Sequence, residues 1–162
     1  MIKNSILGIL SLVLILGMTA CGGKGGKFSA KTKKMMGKKW TYDVEASRKA
    51  VGKAMEDAGI KNGSDVVNLK GDVKKIANFA ASHSLQFYKS KGKLAWQKKW
   101  GKGLLSSTTK GWANWKDEGE TSIELLGFNG KGKNAVFKVE EVGDKKLVLL
   151  NEANRKKIYT SK

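Results

Sequence analysis

The chain has 162 residues, with 32 Lys and Arg against 14 Asp and Glu, and a formal net charge of +18 at pH 7. That length accommodates one domain. A single cysteine, Cys21, and a single histidine, His83, exclude an internal disulfide and a Cys/His zinc site, which takes about four ligands; no metal site and no cofactor are expected.

Residues 1–20 read as a secretory signal. Lys3 is the only charge, and Ile6–Leu16 is an apolar run interrupted by Gly8 and Ser11, shorter than the roughly 20 residues that span a bilayer. The segment Leu16-Gly17-Met18-Thr19-Ala20-Cys21 resembles the lipobox of bacterial lipoproteins, with Met18 where leucine is usual. The resemblance implies cleavage between Ala20 and Cys21, acylation of Cys21 and a membrane lipid anchor, since two or more chains anchor stably. No aspartate follows Cys21, and aspartate there is a familiar inner-membrane retention signal. The outer membrane is therefore the expected location. Residues 21–37 form the expected tether. It opens Gly22-Gly23-Lys24-Gly25-Gly26-Lys27, and residues 22–39 hold seven lysines and no acid.

The body, residues 38–162, reads as a first strand, a helical insertion over about 45–82, and then strands alone. Trp40, Tyr42 and Val44 share one face of the first strand. Val51, Ala54, Met55 and Ala58 recur at helical spacing, Ser47 extends the stripe backwards, and Gly59 is a stop. A second short helix fits 73–81, with Asp72 as N-cap and Val73, Ile76, Ala77 and Ala80 on one face. Residues 60–71 read as a connection. Strands are predicted at 84–89, 93–100, 104–115, 121–128, 134–142, 145–151 and 156–160, separated by glycine-containing turns. Eight short antiparallel strands in sequence order hide their edges by closing. The predicted fold is α+β, mainly antiparallel β: an up-and-down barrel of about eight strands with two short helices inserted after the first.

The strand around Gly111-Trp112 and the segments Gly119–Leu125, Phe137–Val142 and Asp144–Leu149 make residues 84–160 resemble small lipocalin-like lipoproteins of bacteria. The resemblance implies successive hairpin strands of a barrel, a shape more than an activity. Lipocalins carry Gly-x-Trp on the first strand; Gly37-Lys38-Lys39-Trp40 has one residue more.

Catalytic material is sparse. His83, in Ala81-Ser82-His83-Ser84, has no acid and nucleophile at a telling spacing and reads as an exposed loop residue. Glu140 and Glu141 are adjacent on a strand, so they face opposite ways. The Gly-Lys-Gly segments at 101–103 and 130–132 read as hairpin turns. Trp96 and Trp100 share a strand face with Leu94, whereas Trp112 and Trp115 have opposite parity and cannot both point inward on a regular strand. Trp96, Trp100, Trp112, Phe137 and Leu149 are the candidate ligand-lining residues of a barrel cavity.

Residues 73–116 contain ten lysines and no acid, whereas residues 117–152 contain eight acids and five lysines. Lys89, Lys91, Lys93, Lys98, Lys99 and Lys102 are the candidate basic patch. With Arg48 and Arg155 the only arginines, nucleic acid is not the expected partner. These features point to a non-catalytic, envelope-anchored binding module for a hydrophobic or anionic small ligand. The second reading is an interaction lipoprotein with a filled barrel, meeting anionic envelope components through its lysine-rich side. Whether the barrel interior is open or filled separates them.

Overall fold

The computed structural model describes residues 28–101, 103–116 and 121–162. The signal segment, the cleavage site at Ala20 and Cys21, the glycine-rich start of the tether and Lys102 lie outside the described residues.

Eight strands form a closed antiparallel barrel in sequence order: β1 (Lys39–Tyr42), β2 (His83–Ser90), β3 (Lys93–Trp100), β4 (Ser107–Lys116), β5 (Ser122–Leu125), β6 (Ala135–Val142), β7 (Lys146–Asn151) and β8 (Lys156–Thr160). β1 closes the circle by pairing with β8, Thr41 opposite Thr160 and Tyr42 opposite Tyr159. This is the up-and-down barrel that the alternation and turns predict. Three strands are clearly shorter than predicted: β1 ends at Tyr42, because Asp43 caps a helix that begins at Val44, and two others are cut back by turns. Leu104 and Leu105 belong to a 3-10 turn, Gly103–Leu105, ahead of β4. β5 ends at Leu125, because Gly127 (φ +73°) turns the chain and carries Phe128 back over the barrel.

The interior is filled. Trp40, Leu85, Phe87, Leu94, Trp96, Ile123, Leu125, Leu147, Leu149 and Tyr159 are fully buried in one cluster with Phe137 and Val139. Gly111 makes room for the largest of them. A Cβ there would stand 2.8 Å from the Trp96 ring and 2.6 Å from the Leu126 carbonyl oxygen, while the Trp96 indole N–H donates to the Trp112 carbonyl at 3.0 Å.

Four helices accompany the barrel: α1 (Ala30–Met35), α2 (Val44–Asp57), α3 (Gly63–Val67) and α4 (Gly71–Ala81). α1 falls within the predicted tether and is folded. Ser29 caps it by accepting from the Thr32 amide at 3.1 Å, and Phe28, Thr32 and Met35 are buried on one face. It closes one end of the barrel, the lower end: Phe28 packs on Trp115 at 4.7 Å, Trp40 Nε1 donates to the Met35 carbonyl at 2.9 Å, and the Gly37 amide donates to Phe87.

The inserted helices depart from the predicted stripes. In α2 the stripe holds at Ser47, which is buried, and at the half-buried Val51 and Met55, but Ala54 and Ala58 are exposed and Gly52 is the other buried residue. Ser47 Oγ accepts from the Ile158 amide at 3.0 Å, and the Asp43 amide donates to the Ile158 carbonyl, so α2 continues the seam with β8 where β1 stops. Gly52 is buried because α3 packs there; an added Cβ would reach Ser64 Cα at 2.9 Å. The segment 60–71 therefore contains a helix rather than only a connection. α4 starts one residue before the predicted cap, with Lys70 at its N-cap position. Its predicted core face is mostly outward: Val73, Ile76 and Ala80 are exposed and Ala77 is half-buried, while Lys74 and Asn78 meet Glu45 and Arg48 of α2.

Candidate functional site

At the upper end, opposite α1, β3 delivers its last inward residues. Leu94, Trp96, Lys98 and Trp100 alternate inward by strand periodicity, and that parity places a lysine inside the barrel. Lys98 is 6% exposed. Its ammonium donates to the Phe128 carbonyl at 3.1 Å and lies 3.7 Å from the Phe128 ring centroid and 4.5 Å from that of Trp100. β8 adds Lys157 on the same inward parity as Tyr159; its ammonium is 5.8 Å from the Tyr42 ring centroid. Neither lysine makes an ion pair among the described residues. Burial, and then repulsion from Lys157, pull the Lys98 amine down to about 8 from the ordinary lysine value, and burial lowers Lys157 as well.

His83 belongs to the same end. It is the first residue of β2 and is buried, which corrects the expectation of an exposed loop histidine. Its ring lies 4.8 Å from Tyr42, nearly parallel, and 5.2 Å from Trp100. The Ala81 carbonyl, 2.8 Å from Nδ1, can only accept, so Nδ1 carries the proton; Nε2 then accepts from the Tyr159 hydroxyl at 3.2 Å. Burial, opposed by the Ala81 bond and reinforced by Lys98 and Lys157, holds His83 at about 4, hence neutral at pH 7. Burial raises the Tyr159 phenol above its ordinary value. The ring pair is a hydrogen-bonded core element, and among the described residues no carboxylate bonds to it.

The ligand-lining candidates separate. Trp96, Phe137 and Leu149 are packed into the core and Trp100 stands at the upper rim, whereas Trp112 is on the outer face, 42% exposed. Trp115, of opposite parity, packs inward on Phe28. Among the described residues, the interior expected to hold a hydrophobic ligand is occupied by buried, mutually packed side chains. Phe137 also borders a cleft, a space of about 270 Å³ between the β5–β6 and β7–β8 connections, with Phe128, Asn134, Asn151, Glu152 and Lys157.

The candidate basic patch is also dispersed. Lys91 lies in the lower β2–β3 turn with φ +48°, flanked by Lys89 and Lys93, with Lys89 over the Phe28 ring; Lys98 is inside; Lys99 is on the outer face near the upper end. What the registry does assemble is an outer row across four strands, Lys39–Gln86–Gln97–Lys110, with Lys99 on the adjoining row beside Ser84 and Thr108. Lys39 and Lys99 flank an outer cleft of about 320 Å³ with Thr41 and Ser84. No acidic residue occurs in β1–β4, and Lys39, Lys99 and Lys110 have no ion pair among the described residues. On the other half, Glu140 pairs with Lys156 at 2.9 Å and Glu141 with Lys146 at 2.8 Å. A bulge between Val139 and Glu141 exposes both glutamates, where unbroken alternation would turn one inward.

Among the described residues no cluster of His, Cys, Asp or Glu is grouped to hold a metal, and no helix is long and apolar enough to cross a membrane. Fold and site together define a closed, filled up-and-down barrel with an acid-free outer face and an inward-facing pair of lysines. The chain matches no family model, no curated protein and no solved structure.

Proposed function

We propose that this protein is a lipid-anchored, lipocalin-like lipoprotein of the bacterial outer membrane, and that its barrel is a non-catalytic interaction module for anionic envelope components. The observation that carries this reading is the acid-free outer face of β1–β4, where Lys39, Lys99 and Lys110 have no ion pair among the described residues. Uncompensated lysines on a rigid sheet present a fixed field to a polyanion, and their point charges suit phosphate, sulfate or carboxylate groups without demanding a planar fork. The filled interior favours this reading over storage of a hydrophobic ligand.

The anchor is tested by Cys21→Ser. Metabolic fatty-acid labelling is expected to disappear; label persisting on the variant refutes the anchor. The face is tested by binding of the full chain, in nonionic micelles, to an acidic polysaccharide such as polygalacturonate. Binding is expected to fall steeply with salt, since exposed charges are screened beyond about 8 Å at physiological ionic strength. Lys39→Gln, Lys99→Gln and Lys110→Gln together are expected to weaken it about tenfold, a loss of roughly 1.4 kcal/mol. The triple change Lys131→Gln, Lys133→Gln and Lys145→Gln removes the same charge elsewhere. Equal losses in the two triple variants would reduce the effect to net charge and remove the face.

A further inference from the structure

The outer face leaves the two inward lysines unused. An ammonium has three donors. The Phe128 carbonyl takes one from Lys98, and that amine makes no other hydrogen bond among the described residues; the Lys157 ammonium makes none. A buried cation is costly unless it is paired and hydrogen-bonded. Two like charges held together at one end of a barrel repel, and a bound anion would offset both.

The cleft between the β5–β6 and β7–β8 connections gives the route. Lys157 lines it, and Phe128, whose carbonyl and ring hold Lys98, forms its wall. Asn151 lines it too. Its side-chain oxygen accepts from the Ala153 and Arg155 amides at 3.1 and 2.8 Å, which fixes the amide plane and leaves its N–H groups as donors. Two carboxylates stand near. Glu152 lines the cleft from the β7–β8 connection and is exposed; Glu124 is held by Asn114 and Asn134 at 3.0 and 2.8 Å. Neither is ion-paired to Lys98 or Lys157. At about 270 Å³ the space fits a compact solute rather than a polymer.

We propose that the upper end of the barrel binds a small oxyanion, a phosphate or carboxylate group on a compact molecule, through Lys157 and the Asn151 amide in the cleft with Lys98 behind the Phe128 wall. This site is independent of the outer face. An anion there supplies the missing counter-charge for both lysines, and by linkage it raises the Lys98 titration midpoint.

The test uses the full chain in nonionic micelles, with inorganic phosphate and acetate as separate probes, followed by calorimetry and by NMR of the lysine side chains. Saturable binding of at least one probe is expected, together with an upward shift of the Lys98 titration midpoint in its presence. Lys157→Met and Lys98→Met are each expected to weaken binding at least tenfold. Lys99→Gln, the next residue in the chain but on the outer face, is expected to change it less than twofold. Phosphate preferred over acetate marks a dianion site, and the reverse a carboxylate site. Thermal unfolding reports whether each variant folds, and a variant that does not is replaced by Lys157→Gln or Lys98→Gln. Failure of both probes to bind saturably, an unmoved Lys98 midpoint, or equal losses in Lys98→Met and Lys99→Gln would overturn the site. None of these outcomes bears on the outer-face variants, whose probe is the polysaccharide.

Discussion

The two ends of the barrel are closed by opposite chemistry. The lower end is sealed by α1, with Met35, Trp40 and Phe28 buried against Trp115 and with lysines confined to its rim. The upper end is walled by rings as well, but it encloses Lys98, Lys157 and His83. An end that only needs to exclude water is served by an apolar plug. Cations kept inside, without carboxylates, work against stability, and such groups are where a binding role is sought.

Four measurements break or sharpen this contrast. The largest effect is expected from Trp40→Ala. Emptying that site and orphaning the Met35 carbonyl should cost about 3–5 kcal/mol in urea unfolding, whereas Trp100→Ala, at the half-exposed upper rim, should cost less than half as much. Equal costs would mean that the two ends are packed alike.

The second is acid sensitivity confined to the upper end. His83 sits at about 4 in the folded chain and near 6.5 unfolded. Below pH 6.5 the unfolded chain binds the extra proton, so stability is lost as pH falls from 6.5 towards 4, by up to about 3 kcal/mol. His83→Gln should flatten that part of the profile, and an unchanged slope would contradict the buried neutral ring.

Lys98→Met is expected to act in the opposite direction. With Lys98 at about 8 in the fold and near 10.5 unfolded, its charge opposes folding at pH 7, and the penalty shrinks as pH rises from 8 to 10.5. Replacement should stabilise the chain by about 1–2 kcal/mol at pH 7, with a smaller gain at pH 10. Destabilisation at pH 7 would show that Lys98 already has a partner in the free protein. Least of all, Lys110→Gln on the outer sheet should stay within about 0.5 kcal/mol of the parent in thermal unfolding while still weakening polysaccharide binding.

Much of this was legible before any tertiary structure. β3 and β8 occupy the predicted ranges, 93–100 and 156–160, because period-2 alternation and glycine turns are local signals. The parity that paired Trp96 with Trp100 also carries Lys98 inward, a reading obscured by treating the lysines as one run of charge. Phe28, Thr32 and Met35, spaced four and three apart, are the trace of α1 inside a lysine-rich segment. The α4 stripe misleads for the opposite reason: its periodicity is helical, but α4 meets α2 through Lys74 and Asn78 and leaves Val73 and Ile76 exposed.

By itself the sequence determined the strands, their order, their turns and which residues alternate, because these depend on neighbours in the chain. Only closure decided the rest. Pairing β1 with β8 sets Tyr42 beside Tyr159 and brings His83 and Lys157 to one end with Lys98, residues far apart in the chain. Register across β1–β4 likewise turned scattered lysines into the row from Lys39 to Lys110. Charge pairing and enclosure are properties of distance in space, and a linear count of lysines carries no information about which of them face each other.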